Sequence, residues 1–142
     1  MQYSRRDMGL LISALAATTA AAQEQKQHLA TKAYKYDDMT VTPNGPHGSR
    51  RVLDGLTHTG MPLEVHITEL GAGKEPHPPH QHPNEEMVLL QKGLLDVTYQ
   101  GKTTRLDAGS VFYVDSNELH GWKNPGPEPA MYFVVALGQK AK

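Results

Sequence analysis

His80-Gln81-His82-Pro83-Asn84-Glu85-Glu86, followed by an apolar run that ends at Gly93, carries the most specific pattern in the chain. It places two histidines two residues apart and a carboxylate shortly after them. In an extended segment, residues two apart point to the same side, so His80 and His82 project together. Imidazole and carboxylate groups are common ligands of divalent transition metals. The segment therefore predicts a metal site.

Glu86 and His120 complete the candidate ligand set. Glu86 begins an apolar run, where a buried carboxylate is costly on its own and a bound cation removes that cost. The spacing favours Glu86 over the adjacent Glu85 as the ligand. His120 lies in a second glycine-led segment, which starts at Gly109. We expect strands, not loops, to carry all the ligands, which favours a preorganised, open metal site over a closed structural one.

Composition places the chain among globular proteins and excludes several kinds of site. Its 142 residues suit one domain. The net charge of −1 and the absence of a block of like charge argue against a nucleic-acid partner. The chain has no cysteine, which excludes thiolate metal sites, disulfides and thiol nucleophiles. Thirteen glycines and ten prolines indicate many turns and short elements.

Short apolar segments separated by turns are typical of a β-protein. Leu63, Val65 and Ile67 alternate with polar residues, which predicts a half-buried strand. Five further segments are predicted strands: 86–90, 94–99, 102–106, 110–114 and 130–137. Gln100-Gly101 suggests a hairpin, and residues 41–46 carry turn chemistry. We therefore expect an all-β sandwich or barrel.

Two spaced motifs give the chain a resemblance to the cupin superfamily. The first runs His80-x-His82-x-x-x-Glu86-(six residues)-Gly93, and the second runs Gly109-(five residues)-Asp115-x-Asn117-x-x-His120-x-x-x-Asn124. Fifteen residues separate the motifs, a length that suits the short intermotif region of small cupins, and the resemblance covers residues 64–137. It implies a single small antiparallel jelly-roll barrel. It also implies a set of four metal ligands: His80, His82, Glu86 and His120.

Three positions depart from the family pattern, and none of them is a ligand. Asp115 stands where the family has proline, and Asn117 stands where it has glycine. Asparagine tolerates a positive φ, so we expect the turn to be kept. Gly73 lies one residue further from His80 than the family's leading glycine does.

Trp122, His77 and Glu118 are the candidate pocket residues. Trp122 shares strand parity with His120, although ordinary core packing is the alternative for an aromatic side chain. His77 could line the mouth of the site, but plain surface exposure is favoured. Glu118 is a nearby carboxylate that could act as an acid or base, and no catalytic residue can be assigned. The remaining histidines are interpreted as solvent-facing: His28, His47, His58 and His66.

The first 22 residues are interpreted as an export signal. Arg5 and Arg6 precede an uncharged run at 9–22, which is too short to cross roughly 30 Å of hydrocarbon as a helix. Ala20-Ala21-Ala22 offers a small-residue cleavage site. The paired arginines resemble a twin-arginine signal. An ordinary secretory signal and an uncleaved membrane anchor are the alternatives.

This interpretation divides the chain into three parts. We expect cleavage after Ala22, a polar leader at 23–32 that is frayed or forms a short surface helix, and a barrel domain at 33–142. The mature protein is then periplasmic, with no stable membrane span.

Three imidazoles and one carboxylate suit one divalent transition metal. Raw affinity favours Cu or Zn, and Co and Ni also fit. A protein exported in its folded form takes up its metal in the cytoplasm, which favours Mn or Fe. An open site of this kind can polarise a carbonyl group, deprotonate water or activate dioxygen.

The first functional hypothesis is a metal-dependent oxygenase or related oxidoreductase that acts on a small organic molecule. One alternative is a non-redox isomerase or decarboxylase of a sugar or organic acid. Another is a non-enzymatic periplasmic module that binds a small molecule through the metal. The resemblance to small cupins also implies a possible homodimer.

Overall fold

The computed structural model describes residues 26–44 and 47–138. The expected signal segment, residues 1–22, lies outside the described residues. Within them the chain has one short 3-10 turn, Tyr36–Asp38, and otherwise only strands as regular structure. The strands are β1 (Val41–Asn44), β2 (His47–Leu56), β3 (Pro62–Leu70), β4 (Glu85–Lys92), β5 (Leu94–Tyr99), β6 (Lys102–Asp107), β7 (Val111–Val114), β8 (His120–Lys123) and β9 (Ala130–Leu137).

These strands form two antiparallel sheets. The larger has the order β1-β2-β3-β9-β4-β7, and the smaller has the order β6-β5-β8. Both sheets contribute to one core, whose fully buried members include Val88, Leu95, Val97 and Tyr132. The all-β jelly-roll prediction is confirmed. No helix in the described part of the chain is long and apolar enough to cross a bilayer.

Alternation decides which side chains of β4 enter the core. Glu86, Val88 and Leu90 are buried, whereas Glu85 and Leu89 are exposed. The predicted strands at 94–99 and 130–137 coincide with β5 and β9. The predicted hairpin is also confirmed, because β5 and β6 pair across Gln100-Gly101 and both of those residues have positive φ.

The N-terminal segment and β2 differ from the expectation. Residues 26–32 show no helix; His28 instead bridges Leu56 of β2 in parallel fashion. Turn chemistry alone was expected at 41–46, yet β1 and β2 form a ladder on either side of this point. The sequence of β2 conceals the strand, because Gly48 and Gly55 interrupt it and a bulge between Arg51 and Leu53 breaks its alternation.

An extended arm, defined here as residues 26–40, packs along β2. Arg50 and Tyr36 both bind the carboxylate of Glu69, and the Arg50 guanidinium lies 4.2 Å from the centre of the Tyr36 ring. Gly55 allows the close approach of the arm, since a Cβ there would lie 2.7 Å from the carbonyl oxygen of Gln27. The arm thus covers part of the outer face of the larger sheet.

Gly93 lies where a side chain would not fit, which leads to a stability prediction. Gly93 has φ +83°, and a Cβ would lie 2.8 Å from Cα of Ala130; Gly101 has φ +70° but open space around it. We expect Gly101→Ala to cost about 1–2 kcal/mol through backbone strain alone. We expect Gly93→Ala to cost at least about 1 kcal/mol more, because it adds a clash with β9. Urea unfolding of both variants measures the difference, and equal losses would contradict the steric argument.

Candidate metal centre

His80 and His82 lie in the loop between β3 and β4, not on a strand as expected. Pro76, Pro78, Pro79 and Pro83 fall within this loop. Proline has no backbone N–H and cannot donate to a strand ladder, so the loop does not become a strand. Glu86 and His120 do lie on strands, β4 and β8. Two of the four predicted ligands are therefore carried by a loop.

Backbone contacts with β8 and the turn before it fix this loop. His80 and His120 exchange both backbone hydrogen bonds, at 2.9 and 3.0 Å. The backbone N–H of Asn117 donates to the carbonyl oxygen of His82 at 2.8 Å. Asn117 has φ +58°, so the turn with asparagine in the family's glycine position is kept. The loop histidines are thereby placed opposite His120.

Three of the four candidate ligands form one cluster, and Glu86 lies beside two of them. One nitrogen from each of His80, His82 and His120 lies within 4.8 Å of the others. Oε2 of Glu86 lies 3.2 Å from Nε2 of His120 and 3.6 Å from Nε2 of His82. Two ligands that bind one ion at about 2.1 Å are about 3.0–3.4 Å apart for angles between the octahedral and tetrahedral values. The separation of Glu86 from His120 falls within this range, and its separation from His82 is slightly longer.

Hydrogen bonds to backbone carbonyls orient two of the rings. Nδ1 of His82 lies 2.8 Å from the carbonyl oxygen of Asn84, and Nδ1 of His120 lies 2.9 Å from that of Glu118. Each Nδ1 therefore donates to a carbonyl, and each Nε2 is directed toward Glu86, where it can carry a proton for the carboxylate or, without that proton, coordinate a metal ion. Nδ1 of His80 is buried and has no hydrogen-bond partner among the described residues. A metal ion would supply that partner if this nitrogen is the ligand atom.

The pKa values of the cluster shift in different directions. Burial and the neighbouring His77, His120 and His82 lower the pKa of His80, so its ring stays neutral and can coordinate. Burial alone would raise the pKa of Glu86, but the hydrogen bond with His120 and the nearby histidines outweigh it and the pKa is lowered. Burial would lower the pKa of His120, but the hydrogen bonds with Glu86 and the carbonyl of Glu118 outweigh it and the pKa is raised. Glu86 is therefore an anion.

The three pocket candidates have different surroundings. Trp122 is buried and stacks on His120, with ring centres 5.9 Å apart. His77 is exposed, yet its ring centre lies 4.2 Å from that of His80 and 5.6 Å from that of Trp122, so it stands at the edge of the site. Glu118 contributes its backbone carbonyl to orient His120. This is a contact of the main chain and provides no support for an acid–base function of its carboxylate.

Trp122 and His77, two of the pocket candidates, line a cavity beside the cluster, but sequence reasoning missed the wall that β2 and β3 contribute to it. The cavity has a volume of about 210 Å³ and reaches Glu86 and Trp122 at one side. His47 and His66 line it, so the interpretation of these two histidines as solvent-facing is wrong. The signal was present in β3, where His66 and Thr68 share one side, but alternation does not tell which side of a strand faces inward. In β3 the polar side, with His66 and Thr68, faces inward.

Comparisons with known proteins agree with this fold. A solved RmlC-like cupin from Shewanella frigidimarina is 17% identical, with a TM-score of 0.65, over 78% of this chain and 93% of that one. The polyketide cyclase RemF from Streptomyces resistomycificus is 17% identical, with a TM-score of 0.66, over 80% of this chain and 83% of that one.

A sugar phosphate isomerase of the cupin superfamily from Silicibacter pomeroyi is 15% identical, with a TM-score of 0.62, over 76% of each chain. At these identities the likeness concerns the fold alone. No curated protein sequence matches the chain.

A family model is more specific than these structural likenesses. The model described as "Cupin domain" matches residues 66–136, which is half of the chain. The matched segment contains the loop of His80 and His82, the strand of Glu86 and the strand of His120. With the jelly-roll fold and a three-histidine cluster that could bind a metal ion, this match shows that the chain belongs to the cupin family.

Proposed function

We propose that this cupin is a metal-dependent oxygenase or related oxidoreductase that acts on a small organic molecule. The observation that carries the proposal is the position of Glu86, whose Oε2 lies within 3.6 Å of Nε2 in both His82 and His120 while its side chain also lines the cavity. A cation held at this point lies next to the space in which a small molecule can bind.

One divalent transition metal would be held by His80, His82, Glu86 and His120. When bound, the metal supplies Lewis acidity and, for a redox-active ion, the capacity to activate dioxygen. The chain's own residues orient the ligands and shape the cavity. Trp122 packs against His120 and against Tyr132 of β9, with ring centres 5.8 Å apart in the second pair. These aromatic side chains exclude water from one flank of the cluster.

Mn or Fe is the metal that we propose, on the basis of the export route. A twin-arginine route implies that the protein folds around its metal in the cytoplasm before export. Free Cu and Zn are scarce in that compartment. Zn, Ni, Co and Cu remain compatible with the donor set. We also propose that the mature protein begins after Ala22 and is periplasmic.

A non-redox isomerase or decarboxylase is the second candidate, and a specific observation favours it. The cavity wall carries two imidazoles, His47 and His66, and the buried hydroxyl of Tyr132. Such groups can move protons during a reaction that does not need dioxygen. The non-enzymatic binding module predicts the same metal and ligand binding without turnover.

A homodimer through the outer face of the larger sheet is the proposed assembly. Leu89 of β4 and its register partner Val111 of β7 are exposed on this face, as is Tyr113. Exposed apolar side chains in one patch are typical of protein interfaces. A sedimentation mass equal to that of a single chain would refute this assembly.

The first test of this proposal concerns metal content. We expect about one metal ion per chain in protein purified from its own compartment, and a loss of most of it in His120→Ala, because this ring both coordinates and pairs with Glu86. Elemental analysis and thermal melting measure the effect, and the melting temperature should fall because bound metal stabilises the folded state. His58→Ala is the matched control, since His58 is exposed. Equal metal content in both variants would contradict the proposed metal site.

The second prediction concerns the reaction class. We expect the metal-loaded protein to consume dioxygen with at least one member of a panel of small organic acids, phenols and sugars, and His120→Ala to lose this activity. Product analysis under argon tests the alternatives. Turnover without dioxygen identifies the non-redox candidate, and saturable binding with no product under either atmosphere identifies the binding module.

The third prediction concerns export and metal identity. Replacement of Arg5 and Arg6 by lysine should leave the precursor in the cytoplasm if the signal is of the twin-arginine type, whereas an ordinary secretory signal tolerates this change. Fractionation and immunoblotting measure the outcome. A second arm replaces residues 1–22 by a signal for unfolded export. The same metal in both mature proteins would contradict the argument for cytoplasmic loading.

A further inference from the structure

The cavity beside the metal cluster has a row of three hydroxyl groups on one wall. Ser49 of β2 is the register partner of Thr68 of β3, and Thr68 is the register partner of Tyr132 of β9. All three side chains line the cavity. Neighbouring strands are about 4.8 Å apart, so the three side chains start from adjacent positions of the wall, and the hydroxyl of Tyr132 reaches furthest from its strand. Each of them can donate a hydrogen bond to a ligand.

Two ring nitrogens of the same cavity add to this set. Nδ1 of His47 and Nε1 of Trp122 are buried and have no hydrogen-bond partner among the described residues. Trp122 and Thr68 both lie near enough to the Tyr132 hydroxyl to lower its pKa, but Nε1 of Trp122 does not reach the oxygen with hydrogen-bond geometry. An indole nitrogen can only donate, and a buried donor without an acceptor costs free energy. A bound molecule with acceptor oxygens would remove that cost.

The charge of the cavity favours an anionic ligand. Burial raises the pKa of Tyr132 to about 12, so its hydroxyl keeps its proton at physiological pH and remains a donor. The carboxylate that lines the cavity, Glu86, is a candidate metal ligand, and a divalent ion more than offsets its charge. Glu64 shares its side of β3 with His66, and its carboxylate oxygen lies 3.7 Å from Nδ1 of that ring. With a divalent ion bound, the cavity would combine a cationic end with a wall of donors.

Resting on the proposed metal function, we infer that the substrate of this site is a small carboxylic acid, bound as its anion between the metal and the donor wall. Ser49, Thr68 and Trp122 would bind its oxygens, and the cationic end would attract its charge. The cavity volume of about 210 Å³ is below the ~300–1,000 Å³ of pockets for drug-sized ligands, so the acid is short. This choice selects organic acids over neutral sugars and phenols within the proposed function.

The experiment uses Trp122, the one tryptophan of the chain, as its reporter. Metal content of the purified protein is set to one Zn²⁺ per chain and verified by elemental analysis. Lactate is then titrated while tryptophan emission is recorded, and lactamide, which is uncharged and of nearly the same size, is titrated in parallel. We expect a saturable change with lactate and binding at least about tenfold weaker with lactamide, a factor that corresponds to one charge-assisted hydrogen bond.

Thr68→Val tests the wall itself. Valine keeps the shape of threonine but removes the hydroxyl, so lactate should bind about five- to tenfold more weakly while zinc content is unchanged. Thr104→Val on the exposed strand β6 is the matched control and should bind lactate like the parent protein.

The outcomes separate this inference from the function on which it rests. A chain that takes up no zinc contradicts the proposed function and this inference with it. A chain that holds zinc but binds lactate and lactamide equally, or binds lactate equally with and without the Thr68 hydroxyl, contradicts the inference alone and leaves the metal site standing.

Discussion

A buried carboxylate must be compensated, and the arrangement of this protein around Glu86 follows from that requirement. Glu86 enters the interior from the same side of β4 as Val88, which is fully buried. An ionised carboxyl group in such surroundings is stable only with positive charge or hydrogen-bond donors close by. His120 forms a hydrogen bond with this carboxylate, and Nε2 of His82 lies 3.6 Å from it. The residues that could bind a cation are therefore also the residues that make the interior position of Glu86 tolerable.

This compensation depends on joining two distant parts of the chain. His120 comes from β8 of the smaller sheet, whereas Glu86 comes from β4 of the larger one. The backbone bridge between His80 and His120 brings the proline-rich loop to the same place. Asn124, fully buried just after β8, donates to the carbonyl oxygens of Leu70, Gly71 and Glu128 and so fixes the chain on the far side of the strand. The position of His120 is thus determined from both ends of β8.

The sequence was sufficient to predict the fold class and to mark the three histidines that form a cluster able to bind a metal ion. Alternation in β4 places Glu86 on the inner side, and the glycines end the strands where turns are needed.

The cavity wall formed by β2 and β3 could not be predicted in the same way. The polar side of β3, with His66 and Thr68, faces inward, while Ile67 is buried on the outer face beside Tyr34 and Met39 of the arm. Periodicity gives the two sides of a strand, but only packing against other segments decides which side is interior. The loop position of His80 and His82 was also missed. Their spacing suits a strand, but the prolines around them prevent strand pairing.

The proline-rich loop has a consequence for the order in which the molecule opens. Four of its residues lack a backbone N–H, so few main-chain hydrogen bonds hold it, and segments of this kind have low free energies of local opening. The hydrogen bonds between His80 and His120 and between Asn117 and His82 are among the main-chain contacts that hold the loop. A cation bound to the loop histidines and to His120 would add a further contact between the loop and the sheets, where main-chain hydrogen bonds are few. Hydrogen exchange at the amide of His80 would therefore respond to removal of the ion more strongly than exchange in the centre of β9.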